Sequence, residues 1–179
     1  MHYVHIVALL AIAQFIYFGM LVGKARGKYG IKAPAMTGND YFERAVRVQM
    51  NTLEQLVCFV PALLIAAVYW SQAYVAALGV VYLIGRALYQ RAYINDPAKR
   101  GLGFLLTFLP TTLLGVAGLV GALMRSFKKL FKKSRKTFAM IRHEIEEHTG
   151  AQWIEMEGDR KSTRLNSSHS IASRMPSSA

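Results

Sequence analysis

Apolar residues form four long blocks that are separated by short polar stretches. The blocks span residues 4–23, 42–70, 74–93 and 102–124. At about 1.5 Å per residue, the uncharged first block is roughly 30 Å long as a helix, which matches the hydrocarbon core of a bilayer. A water-soluble four-helix bundle would need charges on its outer faces, but only Glu54 is charged between Val48 and Gly85. The pattern therefore predicts an all-α, integral membrane four-helix bundle over residues 1–124.

The basic residues are concentrated in two of the connections between these blocks. Lys24, Arg26, Lys28 and Lys32 follow the first block, and Lys99 and Arg100 precede the fourth, whereas the connection around Ser71 is uncharged. Because cytoplasmic loops of membrane proteins are enriched in Lys and Arg, we expect loops 24–47 and 86–100 to be cytoplasmic. These loop residues account for the net positive charge of the helical part, so that charge does not indicate binding to nucleic acid, and we expect no nucleic-acid partner.

The fourth block carries two further local signals. Asp96 followed by Pro97 is typical of an N-cap and a first helical position, so a helix is predicted to begin here. Gly115, Gly118 and Gly121 recur at every third position, which would let another helix approach closely; ordinary membrane-helix glycines are the alternative. Cys58 is the only cysteine, which excludes an intrachain disulfide, and its apolar surroundings indicate a packing role.

From Arg125 onward the composition changes to a basic and partly amphipathic stretch, residues 125–158. Its cations are Lys128, Lys129, Lys132, Lys133, Arg135 and Lys136. Such a stretch is predicted to lie on anionic membrane lipids, although four spans place it opposite the basic loops, against the positive-inside rule. His143 and His148 are five residues apart rather than four, so we expect no zinc site and no other metal site.

The segment 159–169 closely resembles the translation of a common sequencing-library adapter. We therefore expect residues 159–179 to be a disordered tail derived from an adapter, with the native C-terminus missing. A native, serine-rich disordered tail is the alternative.

Polar residues in the second block fall on one face of the predicted helix. Arg44, Arg47, Asn51 and Glu54 lie within roughly 80° of one another at 3.6 residues per turn. An ionisable side chain about two turns inside a membrane segment is costly and is usually functional. Glu54 is therefore predicted to line a binding site, and a structural ion pair with an arginine is the alternative.

The third block carries a second polar face. Tyr82, Arg86, Tyr89 and Tyr93 lie within about 60° of one another, although an aromatic belt at the membrane interface would also account for Tyr93. Guanidinium groups bind carboxylates bidentately, and a glutamate accepts from an ammonium group. The two facing stripes therefore predict a site for a small zwitterion near the cytoplasmic end of the bundle.

These polar positions resemble the signature of a known family. The motif Phe42-Glu43-Arg44, with Arg47, Gln49, Asn51 and Glu54, is similar to that of the MAPEG family, membrane-associated proteins in eicosanoid and glutathione metabolism. Arg26 and Thr37-Gly38 precede it at a spacing similar to that of the family. Tyr89, Tyr93 and Arg100 follow it at a spacing similar to that of the glutathione-binding, leukotriene-forming synthase subgroup. The resemblance covers residues 1–124.

The resemblance implies a homotrimer that binds glutathione at its subunit interfaces. By that resemblance, the glutathione ligands would be Arg47, Asn51, Glu54, Tyr89 and Tyr93, with Arg26 and Gln49 from the neighbouring subunit. Arg100 would be the partner of the thiolate. A thiol with a reference pKa of about 8.5 is mostly protonated at neutral pH, and a nearby guanidinium favours the nucleophilic thiolate.

Two positions depart from the synthase subgroup and change the expected activity. Gln55 stands where that subgroup has a tyrosine, and Gly27 stands where it has a second arginine. We therefore expect a glutathione transferase, or also a peroxidase, that detoxifies hydrophobic electrophiles in the bilayer, rather than a leukotriene synthase. The alternative is a non-catalytic, lipid-binding or scaffold member. A transporter is disfavoured because no internal repeat or pair of broken helices is visible.

Overall fold

Four helices account for most of the chain. The computed structural model describes residues 2–149 and the pairs 153–154 and 164–165. Its helices are α1 (His2–Lys28), α2 (Asp40–Tyr69), α3 (Gln72–Asn95), a 3-10 turn (Pro97–Arg100) and α4 (Gly101–Thr149). All four helices are long and apolar enough to cross a membrane. The predicted all-α, membrane-spanning architecture is confirmed.

The chain divides into two compact units, Met1–Arg125 and Ser126–Ala179. In the second unit, β1 (Trp153–Ile154) pairs with β2 (Arg164–Leu165) in an antiparallel two-stranded sheet. Apart from the β2 pair, the predicted adapter-derived tail lies outside the described residues. The segment boundaries at 125 and 159, and the origin of both segments, stay predictions.

Capping residues mark the beginning of α2 and of the 3-10 turn that precedes α4. The Asn39 side chain accepts hydrogen bonds from the amides of Tyr41 and Phe42 at 3.0 and 3.3 Å, which satisfies two free donors at the start of α2. Asp96 accepts from the amide of Ala98 at 3.0 Å, so its predicted capping role is confirmed. The turn that it caps is a 3-10 turn, however, and α4 begins only at Gly101.

Helix α4 also ends much later than the predicted fourth span, which stops at residue 124. No glycine or proline occurs between Gly121 and the last helical residue, Thr149. The basic stretch is rich in good helix formers such as Lys, Arg, Leu, Met and Glu. The helix therefore continues where the hydropathy falls.

The core of the first unit lies between α1, α2 and α3. Its buried residues include Val4, Phe59, Leu63 and Tyr82, and the Phe59 and Tyr82 rings stack with centroids 3.7 Å apart. Tyr82, the first member of the α3 polar stripe, is therefore a core residue. Cys58 is exposed on the single chain, so its predicted packing role is wrong there: it points about 100° away from Phe59 around α2.

Glycines allow α4 to approach the other helices closely. A Cβ atom at Gly118 would lie 3.0 Å from the Ile65 side chain, and one at Gly121 would overlap Tyr69. Trp70 also donates from its indole nitrogen to the Ala117 carbonyl at 2.8 Å. Close approach is thus confirmed for two of the three predicted glycines, whereas Gly115 has open space around it.

Candidate functional site

Arg44 joins the start of α2 to the end of α3. Its Nη1 atom donates to the carbonyl oxygens of Ile94 at 3.1 Å and of Asn95 at 3.4 Å. The last carbonyls of a helix lack intrahelical partners, and a cation there also stabilises the helix dipole. Arg44 therefore has a structural role. Its contacts also show that the start of α2 and the end of α3, and with them the two basic connections, lie at the same end of the bundle, as an antiparallel arrangement predicts. Their cytoplasmic location stays a prediction.

A buried arginine lies at the centre of the two polar stripes. The Arg86 side chain is 0% exposed, and it donates from Nη1 to Asn51 Oδ1 at 3.1 Å and from Nη2 to Thr52 Oγ1 at 2.6 Å. Its guanidinium also lies 4.4 Å from the centroid of the Tyr89 ring. A buried cation is costly unless it is hydrogen-bonded. These contacts compensate part of that cost and fix the orientation of the Asn51 amide.

Asn51 in turn holds Glu54. Because the Asn51 oxygen accepts from Arg86, its NH₂ group is directed away from Arg86, and it donates to Glu54 Oε2 at 3.1 Å. Glu54 is exposed on the single chain and forms no ion pair within residues 2–149. The alternative of an intrachain ion pair for Glu54 is therefore wrong. The arrangement presents a carboxylate in a fixed position, with its charge available to a ligand or to a second subunit.

An open cavity of about 460 Å³ lies at the start of α2, about one turn before Asn51, and neither Asn51 nor Glu54 lines it. It is lined by Asp40, Glu43, Arg44, Arg47 and Tyr93. Its size is within the range of small-molecule sites, and its lining carries both positive and negative charges. Arg47 is exposed, so its guanidinium is accessible for a carboxylate. The cavity can therefore hold an elongated ligand that has charges of both signs.

Arg100 and two tyrosines extend the site towards the start of α4. The Tyr89 and Tyr93 rings are 5.4 Å apart, and the Arg100 guanidinium carbon lies 5.8 Å from the Tyr93 centroid. Arg100 donates from Nη1 to the Pro97 carbonyl at 3.0 Å, which holds its exposed side chain near the turn. Its other N–H groups remain able to bind an anion. Tyr89, in contrast, is only 3% exposed and lies beneath Arg86.

Two residues that support the site were not predicted from the sequence. A Cβ atom at Gly103 would overlap the Tyr89 backbone, so the absence of a side chain lets the start of α4 pack directly against α3. The Thr52 hydroxyl accepts a hydrogen bond from Arg86 Nη2 at 2.6 Å and donates one to the Val48 carbonyl, also at 2.6 Å. Neither has a distinctive sequence signal, because glycine is common in membrane helices and threonine often bonds to its own helix.

Arg26 and Gln49 lie elsewhere in the single chain. Arg26 donates to the Ala35 carbonyl at 2.9 Å, and its guanidinium lies 4.8 Å from the Phe42 ring centroid. Gln49 packs against α1, where its amide nitrogen would lie 3.0 Å from a Cβ atom at Gly19. Within residues 2–149, neither side chain hydrogen-bonds to Asn51 or Glu54. The chain thus brings Asn51 and Glu54 together but leaves these two predicted ligands apart from them.

Comparison with known proteins places this chain in a family. The model of the MAPEG family matches residues 4–120. The chain is 45% identical over 115 residues to an uncharacterized protein of Synechocystis sp., covering 63% of this chain and 84% of that protein. It is 38% identical over 137 residues to microsomal glutathione S-transferase 2 of Homo sapiens, covering 74% and 93% of the two chains.

The chain is also similar to leukotriene C4 synthase of Bos taurus. The chain is 30% identical to it over 146 residues, which cover 72% of this chain and 93% of the synthase. The family match spans the four apolar helices, and the similar proteins named for an activity use glutathione or form a leukotriene. The protein is an integral membrane protein, and it belongs to the MAPEG family.

Proposed function

We propose that the protein is a membrane-bound glutathione transferase that joins the glutathione thiolate to hydrophobic electrophiles dissolved in the bilayer. The observation that carries this proposal is the hydrogen-bonded chain from buried Arg86 through Asn51 to Glu54. It holds a carboxylate ready for the ammonium group of a small zwitterion. The similarity to microsomal glutathione S-transferase 2 supports glutathione as that ligand.

The exposed charge of the site also supports a neighbouring subunit, which membership of the MAPEG family implies is part of a homotrimer. Glu54 is exposed on the single chain although it lies about two turns inside the second apolar block, on a helix that can cross a membrane. Contact with hydrocarbon would be very unfavourable for its charge. A neighbouring subunit would cover this face and bring its own Arg26 and Gln49 to the ligand. The complete glutathione site is then formed between two subunits.

Each predicted ligand has a role that suits its chemistry. Arg47 binds a glutathione carboxylate, Glu54 accepts from its ammonium group, and Asn51 orients Glu54. Tyr93 lines the cavity next to Arg100, and the buried Tyr89 ring packs behind it at 5.4 Å and supports its position. These contacts would hold the tripeptide with its thiol directed towards the start of α4.

Arg100 is the proposed catalytic residue. Its guanidinium stabilises the thiolate, which otherwise forms only a small fraction of a thiol at neutral pH. The sulfur lone pair forms a bond to the electrophilic carbon, and the leaving group departs with the electron pair of the broken bond. The same thiolate can attack the peroxide bond of a lipid hydroperoxide; a second glutathione then completes the disulfide, and alcohol and water are released.

The test is the rate at which purified protein conjugates glutathione to chlorodinitrobenzene. We expect Arg100→Ala to lower kcat/KM by about 100-fold or more, because electrostatic groups that stabilise developing or bound anions contribute on this scale. Lys99→Ala is the matched control: it removes the adjacent exposed cation, which pairs with Asp96 at 3.5 Å, and it should leave the rate unchanged. Full activity in Arg100→Ala would reject the mechanism.

The non-catalytic alternative gives a different result in the same preparation. A scaffold protein would show no conjugation of chlorodinitrobenzene and no reduction of a lipid hydroperoxide at any glutathione concentration. The set of charged residues Arg47, Glu54 and Arg100 favours the enzyme, because Glu54 lies inside a helix that can cross the membrane and a lipid-binding scaffold has no need for its charge. Gln55 and Gly27 remain the reason for not proposing leukotriene synthesis.

A further inference from the structure

The second half of α4 carries an unusual concentration of positive charge. We call residues 126–143 the basic segment. It contains seven cations and no acidic residue: Lys128, Lys129, Lys132, Lys133, Arg135, Lys136 and Arg142. The structure shows it as continuous α-helix. Its charges therefore have a fixed angular distribution around the helix.

That distribution divides the helix into two faces. At 3.6 residues per turn, five of the six large apolar side chains lie within an arc of about 100°: Phe127, Leu130, Phe131, Phe138 and Ile141. The sixth, Met140, lies on the opposite side of the helix. Most of the cations lie in a separate arc of about 160°: Lys128, Lys129, Lys132, Lys133, Arg135 and Lys136. The basic segment is thus amphipathic, with an aromatic-rich stripe and a polycationic face.

The apolar stripe is exposed. Its five side chains retain between 50% and 70% of their accessible surface. A continuous apolar surface of this kind marks a site of interaction with a protein or a membrane. A partner that buries the apolar stripe must therefore also be compatible with the six cations on the neighbouring surface.

We propose that the basic segment binds the surface of an anionic phospholipid bilayer. The phenylalanines would enter the boundary between head groups and acyl chains, and the lysines would contact the lipid phosphates, as interfacial amphipathic helices do. The basic segment directly follows the fourth apolar block, residues 102–124, so the chain itself tethers it to the bilayer. Binding in the plane of the surface requires the continuous helix α4 to bend near residue 125. This inference does not depend on the proposed catalytic activity.

Other partners match only one of the two faces. Nucleic acid would neutralise the lysines but would leave the phenylalanines in water. A second copy of the helix would cover the stripe, but it would bring two polycationic surfaces together.

Part of the basic segment also matches a relative. The alignment with the human transferase covers 74% of the 179 residues, which is about 132 residues. It must therefore extend beyond residue 124 and into the basic segment.

The test compares two small residues on opposite sides of the helix. Cys58 is the only cysteine, so Cys58→Ser provides a background for single labels. Ser134 lies within the apolar stripe and Ala139 lies on the cationic side, and both are exposed. Ser134→Cys and Ala139→Cys, each carrying an environment-sensitive fluorophore, are reconstituted as the full chain in two kinds of vesicle. One kind is phosphatidylcholine alone, and the other is an equal mixture with phosphatidylglycerol.

We expect the label at position 134 to shift its emission to the blue, and to be quenched by spin-labelled lipid, only in the anionic vesicles. The label at position 139 should remain accessible to water-soluble quenchers. Molar salt, which shortens the Debye length to about 3 Å, should reverse much of the effect. Replacing Lys128, Lys129, Lys132 and Lys133 with Gln should reduce lipid quenching to the level seen in phosphatidylcholine.

Three results would overturn the proposal. The first is equal lipid quenching at position 134 in both kinds of vesicle. The second is protection of position 134 that depends on protein density in the vesicle rather than on lipid charge, which would indicate a second copy as the partner. The third is protection that requires added RNA.

Discussion

Arg86 Nη1 donates to Asn51 Oδ1 at 3.1 Å, so a buried residue of α3 orients an amide of α2 that in turn holds Glu54. Arg86 itself is inaccessible to a ligand. Its influence on the site is therefore indirect: it positions groups that the ligand can contact. The buried hydrogen bonds connect the packing of two helices with the placement of an exposed carboxylate.

Replacing Arg86 with Lys tests this positioning role. A lysine cannot donate to Asn51 and Thr52 with the planar, forked geometry of a guanidinium. Hydrogen bonds to charged groups contribute about 1.5 to 3 kcal/mol, so we expect the KM for glutathione to rise by about tenfold or more with little change in kcat. Steady-state kinetics with varied glutathione measure both constants.

Arg91→Lys is the matched control, since Arg91 is an exposed cation on the same helix. Its kinetics should equal those of the wild type. A melting experiment in detergent separates misfolding from mispositioning, because a folded Arg86→Lys variant with an unchanged KM would contradict the role assigned to the buried arginine.

The charge of Glu54 is expected to recognise the ammonium group of glutathione. Glu54→Gln preserves the shape of the side chain but removes its charge. It should therefore weaken the binding of glutathione, and it should change the binding of N-acetylglutathione, which has no ammonium group, much less. For the wild type, we expect glutathione to be preferred over N-acetylglutathione by about tenfold or more, the scale of one charge-assisted hydrogen bond.

The KM for each thiol as the co-substrate, measured in wild type and Glu54→Gln, completes a double-mutant cycle for this contact. Equal discrimination in wild type and Glu54→Gln would show that the carboxylate does not meet the ammonium group.

The glycines of α4 provide a paired prediction about stability. A methyl group at Gly121 would overlap Tyr69, whereas one at Gly115 would meet open space. Gly121→Ala should therefore destabilise the bundle by about 1 to 3 kcal/mol through overpacking. Gly115→Ala should be neutral or stabilising by up to about 1 kcal/mol, because alanine favours the helix.

Thermal unfolding of the two variants in the same detergent measures the difference. The close contact between α2 and α4 would be refuted if both substitutions changed the melting temperature in the same direction by the same amount.

The sequence predicts the four helices because long apolar blocks can be stable only across a bilayer or in a core. It also predicts that Asn51 and Glu54 share a face, since helical periodicity determines angular position. Periodicity does not determine depth, however, so it places Arg86 and Tyr89 on a polar stripe without showing that both are buried. Gly103 has no sequence signal, because its contribution is the contact that a missing side chain allows.

The extent of α4 shows a similar limit. Hydropathy falls after Met124, which predicts the end of the membrane span, but helix formation depends on backbone propensity and continues to Thr149. The roles of Arg26 and Gln49 are beyond any single-chain pattern, because the proposal gives them to a neighbouring subunit.

Calorimetric titration of glutathione into the purified protein tests the central claim, that the charged face of α2 binds this tripeptide. The wild type should give saturable heats, and Arg47→Ala should bind at least about tenfold more weakly, because it loses a charge-assisted contact with a carboxylate. The Arg91→Lys control should bind like the wild type. Absence of saturable binding in the folded wild type, or equal affinity in Arg47→Ala, would contradict the account.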